Sequence, residues 1–261
     1  MTPEDLAAVG LRLAIEGRVA TVTLARPEVR NAQTPAMWLA LGEIGRTLPD
    51  EVRVVVVAGE GDTFSAGLDR AMLDPATPGE ESVVGLLALS DEEAAGRIDA
   101  FQGGFTWLRD PRFVSIAKVR GYAIGAGFQL ALSCDLRVVA DDAKFSMKES
   151  ALGLVPDLTG TKPLVEHVGY ARALEICATA RIVPAEEAVA IGLALSSVPT
   201  ADLDAAVDAL VATLLAPMPG VVAETKALLQ GASDRDLDDQ RRLEREAQVR
   251  RFRAVAAALA G

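Results

Sequence analysis

Apolar and polar positions alternate along Leu11-Arg-Leu-Ala-Ile-Glu-Gly-Arg-Val-Ala-Thr-Val-Thr-Leu24 on both sides of Glu16-Gly17. A period of two broken by a turn predicts a β-hairpin. Pro27 ends its second strand. Thr34-Pro35 then offers a hydroxyl cap followed by proline at the first helical position, opening a helix through about Leu48. Val52-Arg-Val-Val-Val-Val-Ala58 is almost wholly β-branched, the pattern of a strand covered on both faces. From Leu73 to Ser90, Pro, Gly, Asp and Glu interrupt scattered leucines, which reads as a loop or insertion. Asp91 is placed to cap a helix through about Leu108, and Pro111 breaks it. Phe113–Val119 and Leu136–Ala140 are the next expected strands, separated by a glycine-rich helix. From Pro163 onward the pattern is helical, apart from a short strand around Ala194–Val198. Strands alternating with helices make this an α/β chain with right-handed crossovers.

The 261 residues suffice for one large domain, or a domain with a helical appendage, and half of them are hydrophobic. A formal net charge of −11 argues against general nucleic-acid binding, yet a few local Arg and Lys can still hold an anionic ligand. Cys134 and Cys177, each amid apolar neighbours, are expected as free thiols in a reducing compartment. Met1-Thr-Pro-Glu-Asp lacks the basic start and apolar core of a signal peptide, and no apolar run reaches the roughly 20 residues that span a bilayer. A soluble, cytoplasmic protein without membrane or nucleic-acid partners is the expectation.

The candidate chemistry lies in two small-residue turns. Gly121-Tyr-Ala-Ile-Gly-Ala-Gly-Phe-Gln-Leu-Ala-Leu-Ser-Cys-Asp135 feeds a glycine turn into an apolar helix, whose first N–H groups lack intrahelical partners. Asp62-Thr-Phe-Ser-Ala-Gly-Leu-Asp69 repeats the design upstream. Either turn alone also suits a plain strand-to-helix connection. Together they have the means to aim two backbone donors at one oxyanion. Other conspicuous residues carry less: the sole histidine, His167, has no nucleophile in an evident motif, no cluster has metal-ligand spacing, and Gly121–Gly127 lacks the dinucleotide-binding glycine spacing. Phe101, Phe105 and Trp107 recur on one helical face as core or pocket wall.

Five segments in order resemble the enoyl-CoA hydratase/isomerase (crotonase) family: Arg26-Pro-Glu-Val-Arg-Asn-Ala32, Phe64–Asp69, Ile116–Gly127, Lys144–Pro156, and the helical pair Val168–Glu175 and Pro184–Leu193. The resemblance implies a crotonase-like α/β fold, a ββα superhelix over residues 1–195, with a C-terminal helical oligomerisation region over 196–261. It implies a homotrimer or dimer of trimers, and an acyl-CoA substrate that brings its own coenzyme A, with no separate cofactor and no metal. The oxyanion donors would be the N–H groups of Leu68 and Ala126. Arg26 and Arg30 would face the CoA phosphates, with Ala32, Ser65, Ala66, Asp69, Gly125 and Gln129 also against the substrate. Hydratases of this family hold a water between two glutamates. Here the first position is Gln129, a neutral amide, and the second is Glu149. Asp157, eight residues on, matches the Glu–Asp spacing of dienoyl-CoA isomerases, whose third carboxylate would again stand at Gln129. Isomerisation with Glu149 as proton shuttle, aided by Asp157, is therefore favoured. Hydration of 2-enoyl-CoA and non-catalytic acyl-CoA binding are the alternatives. The plain alternatives are a helix N-cap for Asp157 and a surface carboxylate for Glu149. The tail Arg241–Arg253, a charged amphipathic helix, departs from the family's usual ending.

Overall fold

The computed structural model describes residues 1–74 and 83–260. Part of the expected 73–90 insertion thus lies outside the described residues. Its end is a short helix, α3 (Val83–Leu87), which follows α1 (Pro3–Ala8) and α2 (Pro35–Thr47) in chain order.

The hairpin forms as β1 (Leu11–Glu16) and β2 (Val19–Leu24), paired antiparallel with Glu16 opposite Val19. Beside β2, β3 (Val54–Gly59) and β4 (Val114–Val119) run parallel. A second, small sheet contains β5 (Tyr122–Ile124), β7 (Lys144–Ser146) and β8 (Val183–Pro184). The main sheet continues through β6 (Leu136–Ala140) to β9 (Ser196–Val198), giving the order β1-β2-β3-β4-β6-β9. The small strands are too short for a sequence period to reveal. β9 forms where a strand was expected and pairs with β6 at the edge of the main sheet.

The valine run behaves as a doubly covered strand. Val55 and Val57 point into the principal core with Met37, Leu41 and Phe105, while Val54 and Val56 pack on the other face with Leu203 and Val207 of α9 (Leu203–Leu215). Thr34 caps α2 by accepting from the Met37 N–H, as its position promised. At α4 (Asp91–Thr106) the cap is Ser90 rather than Asp91, because Ser90 and Glu93 close a reciprocal capping box. The helix stops at Thr106 and passes into a tight turn, Trp107–Arg109.

Helix α5 (Ala126–Ser133) is buried over its whole length. The helices α6 (Thr161–Val168), α7 (Tyr170–Thr179) and α8 (Ala185–Ala190) follow, and α10 (Val221–Leu229) and α11 (Leu237–Ala260) close the chain. Lys226 of α10 is buried: its ammonium donates to the Asp110 and Phe113 carbonyls and pairs with Asp135 at 2.7 Å. Asp135 also accepts from the Ser115 N–H, so it locks α10 onto the sheet. The charged helix α11 buries only Ala247. Among the described residues, no helix is long and apolar enough to cross a membrane.

Candidate active site

The two turns expected to supply oxyanion donors lie side by side because the chain before the first pairs with β5. Ser65 donates its N–H to the Tyr122 carbonyl at 2.8 Å and accepts from the Ile124 N–H at 3.0 Å. Gly67, at φ +88°, approaches so closely that a Cβ there would lie 2.5 Å from the Ile124 carbonyl oxygen. Only glycine fits that conformation and that gap. Gly125, at φ +52°, donates to the Ser146 carbonyl and turns the chain into α5.

Leu68 sits in an isolated parallel bridge with Gln33. Gln33 accepts from the Asp69 N–H at 2.8 Å and donates to the Gly67 carbonyl at 2.7 Å. In that register Leu68 turns its own N–H to the opposite edge. Ala126 is the first residue of α5, where the N–H has no intrahelical acceptor. Leu68 and Ala126 line one cavity of about 770 Å³, together with Gln129, Glu149 and Asp157. The rest of its wall is largely apolar and includes Trp38, Ile98, Phe101, Leu152, Leu154 and Leu158. Phe105 and Trp107 belong instead to the core around Trp38 and Phe113.

Glu149 opens the tight turn Glu149–Leu152 and is 8% exposed, so it is no surface carboxylate. Its Oε1 lies 3.4 Å from where a Gly125 Cβ would stand, directly beside the second small-residue turn. Oε1 accepts from Gln129 Nε2 at 2.7 Å, and buried Oε2 has no partner among the described residues. Burial pushes the Glu149 carboxyl above its ordinary value, the Gln129 hydrogen bond opposes this, and Asp157 adds a further upward push. Gln129 has a single consistent orientation. Its Oε1 accepts from the Leu158 N–H at 2.9 Å and the Gly160 N–H at 3.2 Å, which leaves its NH₂ for the glutamate.

Asp157 is not a helix cap: Gly160 holds that position at α6. It lies exposed on the cavity rim, its carbonyl tied to Gln102 of α4 at 2.7 Å, and enclosing protein atoms raise its pKa.

The expected CoA contacts divide. Arg26 turns inward, donating to the Ala32 carbonyl at 2.8 Å and pairing with Asp69 at 3.0 Å. Asp69 also caps the turn Arg70–Leu73, so this pair joins two loops rather than presenting free charge. Ser65 is wholly buried, and its hydroxyl serves the protein's own backbone and Gln33. Ala66 lines the cavity, and its N–H donates to the carbonyl of the exposed, left-handed Arg30. The basic residues on the cavity wall are Arg70 and Lys148, which the sequence pattern did not single out. His167 is half-buried: its Nε2 accepts from buried Arg137 at 2.8 Å, and burial followed by the guanidinium holds its pKa down at about 4. Both cysteines are free thiols.

Residues 14–256 match the enoyl-CoA hydratase/isomerase family model. The chain belongs to this family. It is similar to a carnitinyl-CoA dehydratase of Salmonella arizonae, at 33% identity over 94% of this chain and 89% of that protein. A short-chain-enoyl-CoA hydratase of Clostridium acetobutylicum is 30% identical over 89% of this chain and 85% of its own length. Among solved structures, a Thermobifida fusca YX protein assigned as an enoyl-CoA hydratase, in complex with CoA, is 52% identical, with a TM-score of 0.93 and coverage of 98% of both chains. Its complex with acetoacetyl-CoA is 53% identical, with a TM-score of 0.93, covering 97% of this chain and 98% of that one. The architecture of this chain is that of the crotonase-fold enzymes.

Proposed function

We propose that this enzyme shifts the double bond of an unsaturated acyl-CoA. The observation that carries this reading is the locked amide of Gln129. With two backbone N–H groups on its oxygen and Glu149 on its nitrogen, it can neither take a proton nor act as the second base for a water. Glu149 is left as the carboxylate beside the oxyanion turns.

In this scheme the thioester carbonyl oxygen sits between the N–H groups of Leu68 and Ala126. Glu149 Oε2, which has no partner among the described residues, removes an α-proton, and the C–H electron pair flows into the carbonyl as an enolate. The glutamic acid so formed returns its proton farther along the chain, moving the double bond without net loss of atoms. A carboxyl raised by burial suits a group that must both take and give a proton. Asp157, on the rim of the same cavity, would serve the more remote carbon of a dienoyl substrate. Arg30, whose carbonyl accepts from the Ala66 N–H, and Arg70, on the cavity wall, are exposed and would meet the CoA phosphates.

The relatives, named as hydratases, favour a second reading, syn hydration of 2-enoyl-CoA, in which Gln129 only orients water. Incubation with 2-enoyl-, 3-enoyl- and 3,5-dienoyl-CoA separates the two. Consumption of the 3-enoyl or dienoyl thioester, lost in Glu149→Gln, is expected. Fast hydration of 2-enoyl-CoA that survives Glu149→Gln refutes the assignment. The proposed assembly is a homotrimer or dimer of trimers, checked by light scattering.

A further inference from the structure

Gln33 is fully buried, and each end of its amide is committed. Its Oε1 accepts from the Trp38 indole N–H at 2.8 Å, and its Nε2 donates to Ser65 Oγ at 3.0 Å. Trp38 carries only a donor, so the amide orientation is determined. Ser65 Oγ in turn donates to the Asn31 carbonyl at 2.7 Å and accepts from the Gly67 N–H at 3.2 Å. Asn31 is tied to the same region, its Nδ2 donating to the Glu60 and Thr63 carbonyls. A single polar chain therefore runs from an aromatic wall of the acyl cavity to the Ala66–Gly67 peptide, one link before the peptide that carries the Leu68 N–H. The Gln33 backbone meanwhile grips Gly67 and Asp69, the two neighbours of Leu68.

We propose that Gln33 is a positioning residue for the oxyanion hole: its backbone aims the Leu68 N–H, and its side chain, through Ser65, holds the Ala66–Gly67 peptide just before it in register with Trp38. This rests on the oxyanion-hole reading above and adds to it a residue that does not touch the substrate. The physical reason is the cost of misplacement. A donor stabilises developing charge only within hydrogen-bond distance of the oxyanion's final position. The Gly67–Leu68 turn has left-handed glycine geometry and is held from one side by Gln33 and Ser65. Replacing Gln33 by an apolar residue leaves the Trp38 N–H and one Ser65 lone pair buried without partners. The local escape is for Ser65 to rotate, which releases the Gly67 N–H. The wall against which the acyl chain packs and the donor that polarises its carbonyl are thereby coupled.

The test uses the full-length protein and acetoacetyl-CoA, whose enolate has a distinct ultraviolet absorption band. Polarisation by the oxyanion hole raises the enolate-to-keto ratio of the bound ligand, whichever reaction the enzyme catalyses. In Gln33→Leu this ratio is expected to fall about tenfold, short of the roughly 10²–10³-fold effect of losing a donor outright. CoA itself should bind within about twofold of the parent, since the fully buried Gln33 does not line the cavity (a twofold change is only about 0.4 kcal/mol). Turnover should show the same split, with kcat falling more than KM rises. If Gln33→Leu does not fold, Ser65→Ala removes the acceptor of the Gly67 N–H and should give the same reduced ratio. An unchanged ratio in a folded variant, even with a lowered Tm, overturns the positioning role and reduces Gln33 to a packing residue. A parent protein that binds acetoacetyl-CoA without polarising it overturns the oxyanion-hole reading itself, and the role of Gln33 with it.

Discussion

Gln129 donates to Glu149 across 2.7 Å of the cavity wall, and its own carbonyl is held by the Leu158 and Gly160 amides. In Gln129→Glu one oxygen would keep those two backbone bonds while the other faced Glu149. Two carboxylates at that separation share a proton, and one of them is pushed strongly upward in pKa. The substitution restores the two-glutamate arrangement of the family's hydratases. Its expected outcome is hydration of 2-enoyl-CoA rising by about 10²-fold, the lower end for a positioned acid or base, with isomerisation falling. Product analysis by mass spectrometry checks both.

Glu149 must be ionised to take the first proton. Because burial raises its pKa, activity should decline through an acid limb lying above the ordinary carboxylate value of 4.5. Removing the Gln129 hydrogen bond, which stabilises the ionised form, should move that limb farther toward neutral pH in Gln129→Met. The log kcat/KM profile of parent and variant measures the displacement, and a shift toward acid would contradict the assigned hydrogen bond.

Asp157 stands on the cavity rim with a raised pKa and no capping duty. Asp157→Asn should slow turnover of 3,5-dienoyl-CoA by about 10²-fold, on the scale of a lost general acid or base, and leave 3-enoyl-CoA turnover nearly intact. Equal losses on both substrates would make Asp157 a structural residue of the wall.

His167 gives the fold its own acid sensitivity. Its pKa is held from 6.5 down to about 4, so in this window the unfolded chain binds a proton that the folded protein does not. Stability therefore falls as pH drops below 6.5, by up to about 1.4 kcal/mol per pH unit, and levels off near the folded pKa. His167→Gln keeps an acceptor for Arg137 without a titrating ring, and should flatten this limb. Urea unfolding at pH 7 and pH 5 compares the two.

Lys226→Met leaves Asp135 half-buried without its cation, and frees the Asp110 and Phe113 carbonyls. Breaking such a pair from one side costs about 3–5 kcal/mol. Pairing it with Asp135→Asn should recover part of the loss in a double-mutant cycle read by chemical denaturation.

Much of this protein is legible along the chain because the signals are local. The alternation in Leu11–Leu24, the Thr34-Pro35 cap and the Val52–Ala58 run each specify an element from their own residues, and each formed. Gly67 and Gly125 could be singled out because a left-handed turn demands glycine wherever it occurs. Glu149 and Gln129 stood out by their place in a recognisable segment. The tertiary structure alone decided what lies opposite what. It turned Arg26 inward onto Asp69, made Ser90 the cap in place of Asp91, and added Ser196–Val198 to the main sheet. It also joined Gln33 to Ser65, 32 positions away, and Gln129 to Glu149, 20 positions away. Periodicity and capping rules describe a residue's neighbours within a turn or a strand. A side-chain hydrogen bond across the core depends on which layers the burial of apolar faces has already brought together, and no local pattern encodes that distance.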